Sequence, residues 1–160
     1  MMQVRIIAVG KAKEPFYREG VAEYAKRLTG MAKIGFVELP DEPTPAGASA
    51  AEKAKVLDAE GLRILKTLHP GEYCVLLDLS GDMMTSEAFA RKIEELTLGG
   101  TSKFACVIGG SLGVSDDVRR RADLRLSLGP MTYPHQMVRL VIVEQLYRAC
   151  MIGKGANYHK

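Results

Sequence analysis

The sequence predicts a single three-layer α/β domain, residues 1–160, around a mostly parallel sheet. Three observations predict it. Five short apolar runs have strand character, a segment of helical spacing follows each of them, and two of the runs are almost continuously apolar, as strands covered on both faces are. At 160 residues the chain has the size of one ordinary domain and can bury a substantial core.

Residues 4–9 open the chain as the first strand. From Pro15 to Leu28, apolar residues recur at Phe16, Val21, Tyr24, Ala25 and Leu28 with Lys and Arg between them, which is a helical pattern. Residues 34–39 are the second strand, and residues 40–48, with three prolines and a glycine, form the one clear flexible loop. Ser49 followed by Ala50, Ala51 and Glu52 is a capping box opening a helix that runs to about Leu68, before Pro70 and Gly71 stop it. The two strongly apolar strands are residues 73–79 and 104–108. Between them a helix runs from Ser86 to Leu98 and ends at Gly99 and Gly100. Ser115 puts a capping hydroxyl, and Asp116 and Asp117 two acids, at the start of a short fourth helix, where the helix dipole favours negative charge. Residues 124–128 form the fifth strand. Pro134 opens a fifth helix reaching about Met151, since proline fits a first turn whose N–H has no partner.

Composition narrows the class without naming a function. The chain is 47% hydrophobic and 26% charged, with no low-complexity tract or internal repeat, as globular domains are. Its net charge of +3 permits a nucleic-acid partner without demanding one. The apolar stretch at the N-terminus is too short for a membrane span and lacks the features of a signal peptide, so the expected compartment is the cytoplasm. Cys74, Cys106 and Cys150 sit in apolar runs without CxxC spacing and read as buried thiols. The histidines lack ligand spacing, so no metal site is expected.

In an open parallel sheet, ligands gather outside the carboxyl ends of the strands. Three such ends are unusual here. Leu77-Asp78-Leu79-Ser80-Gly81 follows the third strand, and Gly109-Gly110-Ser111-Leu112-Gly113 follows the fourth. The glycine cluster fits neither GxGxxG nor GxxxxGK, and reads equally as a ligand cradle and as a tight turn. After the fifth strand come Leu128, Gly129, Pro130, Met131, Thr132, Tyr133 and Pro134. Two prolines stiffen this loop, and Met131 and Tyr133 could wall a flat aromatic group; on composition alone a plain connector is the commoner reading.

The last helix has apolar residues on more than one narrow stripe, which suggests burial on most sides, as in a subunit interface, with Gln136, Arg139, Glu144, Gln145 and Arg148 paired. Glu144 and Arg148, four apart, read as a structural ion pair. His135, at the start of this helix, reads as a cap or a core hydrogen-bonder. The tail Tyr158-His159-Lys160 has the chemistry of a nucleic-acid contact, although tails are often simply disordered. Arg119, Arg120, Arg121 and Arg125 form the densest basic run, more simply a solvated helix face than a phosphate site.

Several of these segments resemble one family. FACVIGGSLG (104–113), LSLGPMTYPHQMVR (126–139), EQLYRA (144–149) and the terminal YHK, with the opening VRIIAVGKAK and ELPDE (38–42), are similar to the ribosomal RNA large subunit methyltransferase H family of SPOUT methyltransferases. The resemblance covers essentially the whole chain. It implies methylation at N3 of a pseudouridine in large-subunit ribosomal RNA within the ribosome, with S-adenosyl-L-methionine as cofactor. It also implies a homodimer with a deep trefoil knot in the C-terminal half, which pattern reasoning would not reach because knots are rare exceptions to chain topology. Cofactor contacts then fall on Leu77, Gly109, Leu128, Gly129, Pro130, Met131, Thr132 and Tyr133. The reaction needs a proton removed and an imide anion stabilised, for which His135 and His159 are the base candidates and Arg139 the anion stabiliser. Arg148, Tyr158 and Lys160 are the substrate-binding candidates. Two other readings stand beside this one: an RNA- or ribosome-binding protein that has lost catalysis, and an enzyme using another adenine-containing cofactor. The intact cofactor loops weigh against the first and the missing phosphate fingerprints against the second.

Overall fold

The computed structural model describes residues 1–159. Ten elements alternate without exception: β1 (Met2–Val9), α1 (Pro15–Arg27), β2 (Ala32–Leu39), α2 (Ala50–Thr67), β3 (Tyr73–Met83), α3 (Ser86–Leu98), β4 (Lys103–Ile108), α4 (Asp116–Arg121), β5 (Leu124–Ser127) and α5 (His135–Gly153). The helix starts follow local chemistry. Ser49 and Glu52 form the reciprocal capping box of α2, Thr85 accepts from the Ala88 amide to cap α3, and Ser115 accepts from the Val118 amide to cap α4. Pro15 stands in the first turn of α1, whereas Pro134 is one step earlier than expected, as the extended N-cap of α5. No described helix is long and apolar enough to cross a membrane.

The five strands form one sheet in the order β2-β1-β4-β3-β5, every pair parallel. Alternation at period two divides its side chains. Val4, Ile6, Ala8, Val75, Phe104, Cys106 and Ile108 face one way and pack with Phe89, Ala90 and Ile93 of α3 and Ile142, Val143, Leu146 and Ala149 of α5. Ile7, Val9, Cys74, Leu76, Ala105 and Val107 face the other way, onto Ile64 of α2 and Val118 of α4. Crossovers that step towards β2 use α1 and α3, and those that step towards β5 use α2 and α4. A constant crossover hand requires that division of the helices between two faces. Cys74, Cys106 and Cys150 are free thiols; burial pushes Cys106 up to about 12 and Cys74 up to about 11, so both are inert core groups.

One irregularity shapes the site. β3 runs four residues further than its apolar pattern suggests, pairs with β5 through Val75–Leu77, bulges, and resumes at Asp82 opposite Leu126. Leu126 therefore partners both Leu77 and Asp82. The bulge is held by Asp78, which takes Arg119 and Arg125 at 3.2 Å each and accepts from the Ser80 amide and hydroxyl. Burial resists ionisation of Asp78, but the Ser80 donors and Arg119 outweigh it and hold its pKa low. At Gly81 a Cβ would stand 2.5 Å from the Arg125 carbonyl oxygen, and backbone cannot give way there. Gly81→Ala is expected to cost about 1–3 kcal/mol, the usual range for overpacking. Urea unfolding measures it, and a variant as stable as the parent would show that the bulge can relax.

Candidate active site

The loops that follow β3, β4 and β5 enclose a cleft of about 640 Å³ at the carboxyl edge of the sheet, within the size range of small-molecule sites. Its walls are mostly apolar: Leu77 and Leu79 from the end of β3, Ile108 and Leu112 around the glycine turn, and Leu126, Leu128 and Met131 from the fifth strand and its loop. Polar groups are few, chiefly Asp78, Arg119, Ser111, Thr132 and His135. Of the residues implicated by resemblance, Leu77, Gly109, Leu128, Met131, Thr132 and Tyr133 line this cleft. Gly129 lines an adjoining cavity of about 340 Å³ instead, and Pro130 is on neither wall.

The glycine turn is shaped by its own backbone. The Gly113 amide donates to the Gly110 carbonyl at 3.0 Å, and Gly113 has φ +89°, where side chains are strained. A Cβ on Gly109 would lie 2.7 Å from the Gly113 carbonyl oxygen and 2.6 Å from Val114, so this glycine is needed to close the turn before any ligand approaches. Beneath it lies Glu60 of α2, 5% exposed, whose carboxylate a Gly110 Cβ would meet at 2.8 Å. Glu60 accepts from the Glu42 amide at 2.9 Å and so ties the loop between β2 and α2 to the glycine turn. Burial raises its pKa, with Asp41 adding to the effect.

His135 opens α5 at the floor of the cleft. Its Nδ1 is buried without a hydrogen-bond partner among the described residues. Burial, then Arg139, push its pKa below the ordinary histidine value, so the ring is neutral at neutral pH. Arg139 stands one turn further on, 5% exposed, donating to Glu38 at 2.5 Å and to the Gly10 carbonyl at 2.8 Å. It does not line the cleft. Its charge is already engaged, and its effect there is the field it places on His135. Glu38 also accepts from the Ala12 amide, the largest of the influences that hold its pKa low, with Arg139 next. Gln136 pairs with the loop after β1 rather than with Arg139, its Oε1 accepting from the Lys13 and Glu14 amides at 2.9 and 3.1 Å.

The tail candidates gather elsewhere, more than three turns and about 20 Å along α5 from His135. Arg148 donates to Glu144 at 2.7 Å and meets His159 Nδ1 at 3.1 Å. Tyr158 donates to Glu144 at 3.1 Å, and burial and its hydrogen bonds push its hydroxyl up to about 12. The other ring nitrogen of His159 reaches Glu87 at 2.7 Å, beside Ser86 on the wall of the adjoining cavity. Lys160 lies outside the described residues. The basic run is consumed locally: Arg119 by Asp78 and Asp116, Arg120 by Asp117, Arg121 by Asp123, and Arg125 by Asp78.

With this arrangement in view, the chain matches the model of a predicted SPOUT methyltransferase across residues 2–159. A relative from Desulfitobacterium hafniense named ribosomal RNA large subunit methyltransferase H is 49% identical over 160 residues, covering 100% of both chains. The chain belongs to that family of SPOUT methyltransferases. A second member of that name, from Leuconostoc citreum, is 43% identical over 159 residues, covering 99% of this chain and 100% of its own. Among solved structures, a probable methyltransferase from Bordetella pertussis shares the fold, with TM-score 0.58 at 17% identity over 93% of this chain and 96% of its own.

Glu38, which the sequence offers only as part of the ELPDE segment, and Glu60, which it does not single out, carry parts of this site. Glu60 had a legible signal: Val56, Glu60 and Ile64 stand at helical spacing, so an acid occupies the apolar stripe of α2. Its raised pKa has a sign that can be tested. The native protein should lose stability as pH rises from the ordinary carboxyl value, about 4.3, through the raised folded value. Glu60→Gln is expected to remove this loss, so that the two Tm values coincide near pH ~4 and separate in favour of the variant towards neutrality. Calorimetry across that interval decides it; a variant melting below the parent at neutral pH would mean that the bond to the Glu42 amide outweighs burial.

Proposed function

We propose that the chain methylates N3 of a pseudouridine in large-subunit (23S) ribosomal RNA, using S-adenosylmethionine, in the cytoplasm. The observation that carries this reading is a cleft built from three strand ends with an uncharged His135 in its floor, in a chain of this family. The name of the relatives supports the ribosomal RNA as substrate.

The residues present fit the cofactor. An apolar slot between Leu77, Leu128 and Met131 suits a flat adenine, and backbone exposed at the glycine turn suits close polar contact. When bound, S-adenosylmethionine supplies an electrophilic methyl group on a positively charged sulfur. The chain then has two tasks, to orient the nucleotide and to take the proton from N3. His135, neutral and with a buried nitrogen free of partners among the described residues, is the first candidate for the proton. His159, held between Glu87 and Arg148, is the second. Arg139 serves by position, fixing Gly10 and Glu38 and keeping His135 uncharged. Arg148 and Tyr158, with Lys160 beyond them, hold the RNA.

The working unit is a homodimer. Leu79, Met83, Met131 and Tyr133 are exposed apolar side chains around the two cavities, and a twofold copy would cover them. A second chain could also bring its tail to a cleft that lies far from the tail of the same chain. The trefoil knot belongs in the C-terminal half, where the segments after β3, β4 and β5 crowd together before α5 returns across the sheet.

Labelled S-adenosylmethionine and ribosomal subunits should yield one methylated pseudouridine by nucleotide mass spectrometry; label at another base, or none, would defeat the proposal. If His135 takes the proton, the rate should fall as pH drops through a value below about 6.5, and His135→Gln should abolish that step. An unchanged profile in the variant moves the role to His159. Light scattering should give twice the chain mass at micromolar concentration, and an active monomer would exclude the dimer.

A further inference from the structure

We infer that residues 10–14, the turn between β1 and α1, form a rigid clamp for the sugar-phosphate backbone of the RNA at the rim of the cleft. The inference rests on the proposed function and adds to it a surface that neither the cofactor loops nor the tail supply.

The argument begins with the distribution of usable charge. Among the described residues, every arginine except Arg18 and Arg91 is ion-paired, and no lysine is. The densest basic run is therefore neutralised by its own aspartates, and free cationic surface comes from lysines. Lys11 and Lys13 are exposed on the turn whose Gly10 lies against His135 of the cleft floor and whose Lys13 amide meets Gln136, with exposed Arg18 one turn into α1. Glu38 feels the charge of Lys11 but is committed to Arg139 and the Ala12 amide, and Glu14, which closes the turn, is exposed beside Lys13.

The turn carrying these lysines is unusually fixed. Gly10 takes φ +94°, and its carbonyl accepts from Arg139. Ala12 donates to Glu38, and Lys13 and Glu14 both donate to the one side-chain oxygen of Gln136. Three consecutive amides are thus held by side chains from β2 and α5. The ring of His135 lies against the same turn, 3.4 Å from where a Gly10 Cβ would be. Held this way, the backbone that carries the two lysines keeps a constant relation to His135 in the floor of the cleft. A target base in a folded RNA must leave its stack to reach that floor, and its flanking phosphates then cross the rim. Lysines on a loose loop would only attract RNA; on a fixed turn they also set where its backbone lies.

The test measures methyl transfer to ribosomal subunits over a salt series. Lys11→Ala/Lys13→Ala should raise the half-saturating subunit concentration about tenfold and flatten the slope of log affinity against log salt by about 1–2 units, the loss of two phosphate contacts. Calorimetric affinity for S-adenosylmethionine should not change, and Lys11→Arg/Lys13→Arg should restore both readouts. Gln136→Ala, which keeps every charge and frees two amides, should raise half-saturation while leaving the salt slope intact. The control is Lys33→Ala/Lys103→Ala at the opposite edge of the sheet, expected to change neither quantity. Unchanged salt slope and half-saturation in the first variant would overturn the clamp, as would an equal loss in the control, which would mean diffuse attraction only. A parent protein that binds subunits but transfers no methyl group would sink the functional reading instead, and the clamp would still be judged from the salt slope of binding.

Discussion

Five parallel strands oblige every segment that follows a strand to emerge on the same edge of the sheet, and the site depends on that constraint. Because β4, β3 and β5 are neighbours, the three segments after them are also adjacent, and a cleft forms without any long excursion of the chain. The end of β1 shares the edge, which puts Gly10 against His135 although they are far apart in sequence. Helices on both faces keep the strands dry and parallel, so the position of the cleft follows from the same packing that stabilises the domain.

Charge is used mainly as internal bracing. Asp78 gathers two arginines at the β3 bulge, Glu38 and Arg139 join β2 to α5, and Glu72 takes Arg5 at 2.5 Å across the other end of the sheet. Each pair spans elements distant in sequence and fixes a loop or strand end that hydrophobic packing alone would leave loose. The partly buried acids keep their charge where amides and arginines support it, as at Asp78 and Glu38, and resist it where such support is weak, as at Glu60. The cleft thereby stays low in net charge, which suits a site whose ligand brings its own.

Most of the architecture was legible in the sequence because local signals agreed with the fold. Ser49 with Glu52, Ser115 with its two aspartates, and the alternating apolar runs all name elements that formed, with ends shifted by one or two residues except at β3. The extension of β3 was hidden because Ser80, Gly81 and Asp82 look like a turn; they pair only after a bulge that Asp78 and β5 create together. The strand ends around the cleft were visible as glycines and prolines in unusual places. The roles inside were not. Arg139 reads as a cation available for chemistry until Glu38, 101 residues away, is seen to hold it. Gly109 reads equally as a ligand cradle and as part of a tight turn until its contact with Gly113 shows that the turn itself needs a glycine there. Such roles arise from partners that only folding brings together.

The order of strands has a kinetic consequence. β4, which starts at Lys103, sits between β1 and β3, so the centre of the sheet is filled by a strand made after three other strands and three helices have been synthesised. The bond from Arg139 to Gly10 spans 129 residues. Contacts of such separation favour slow folding, since the loops must close before the pairing rewards them. The segment up to β3 cannot complete the sheet as it emerges during translation, and it must wait with β1 and β3 unjoined until β4 arrives. The nascent polypeptide therefore acquires its binding cleft only after β4, β5 and the start of α5 have been made.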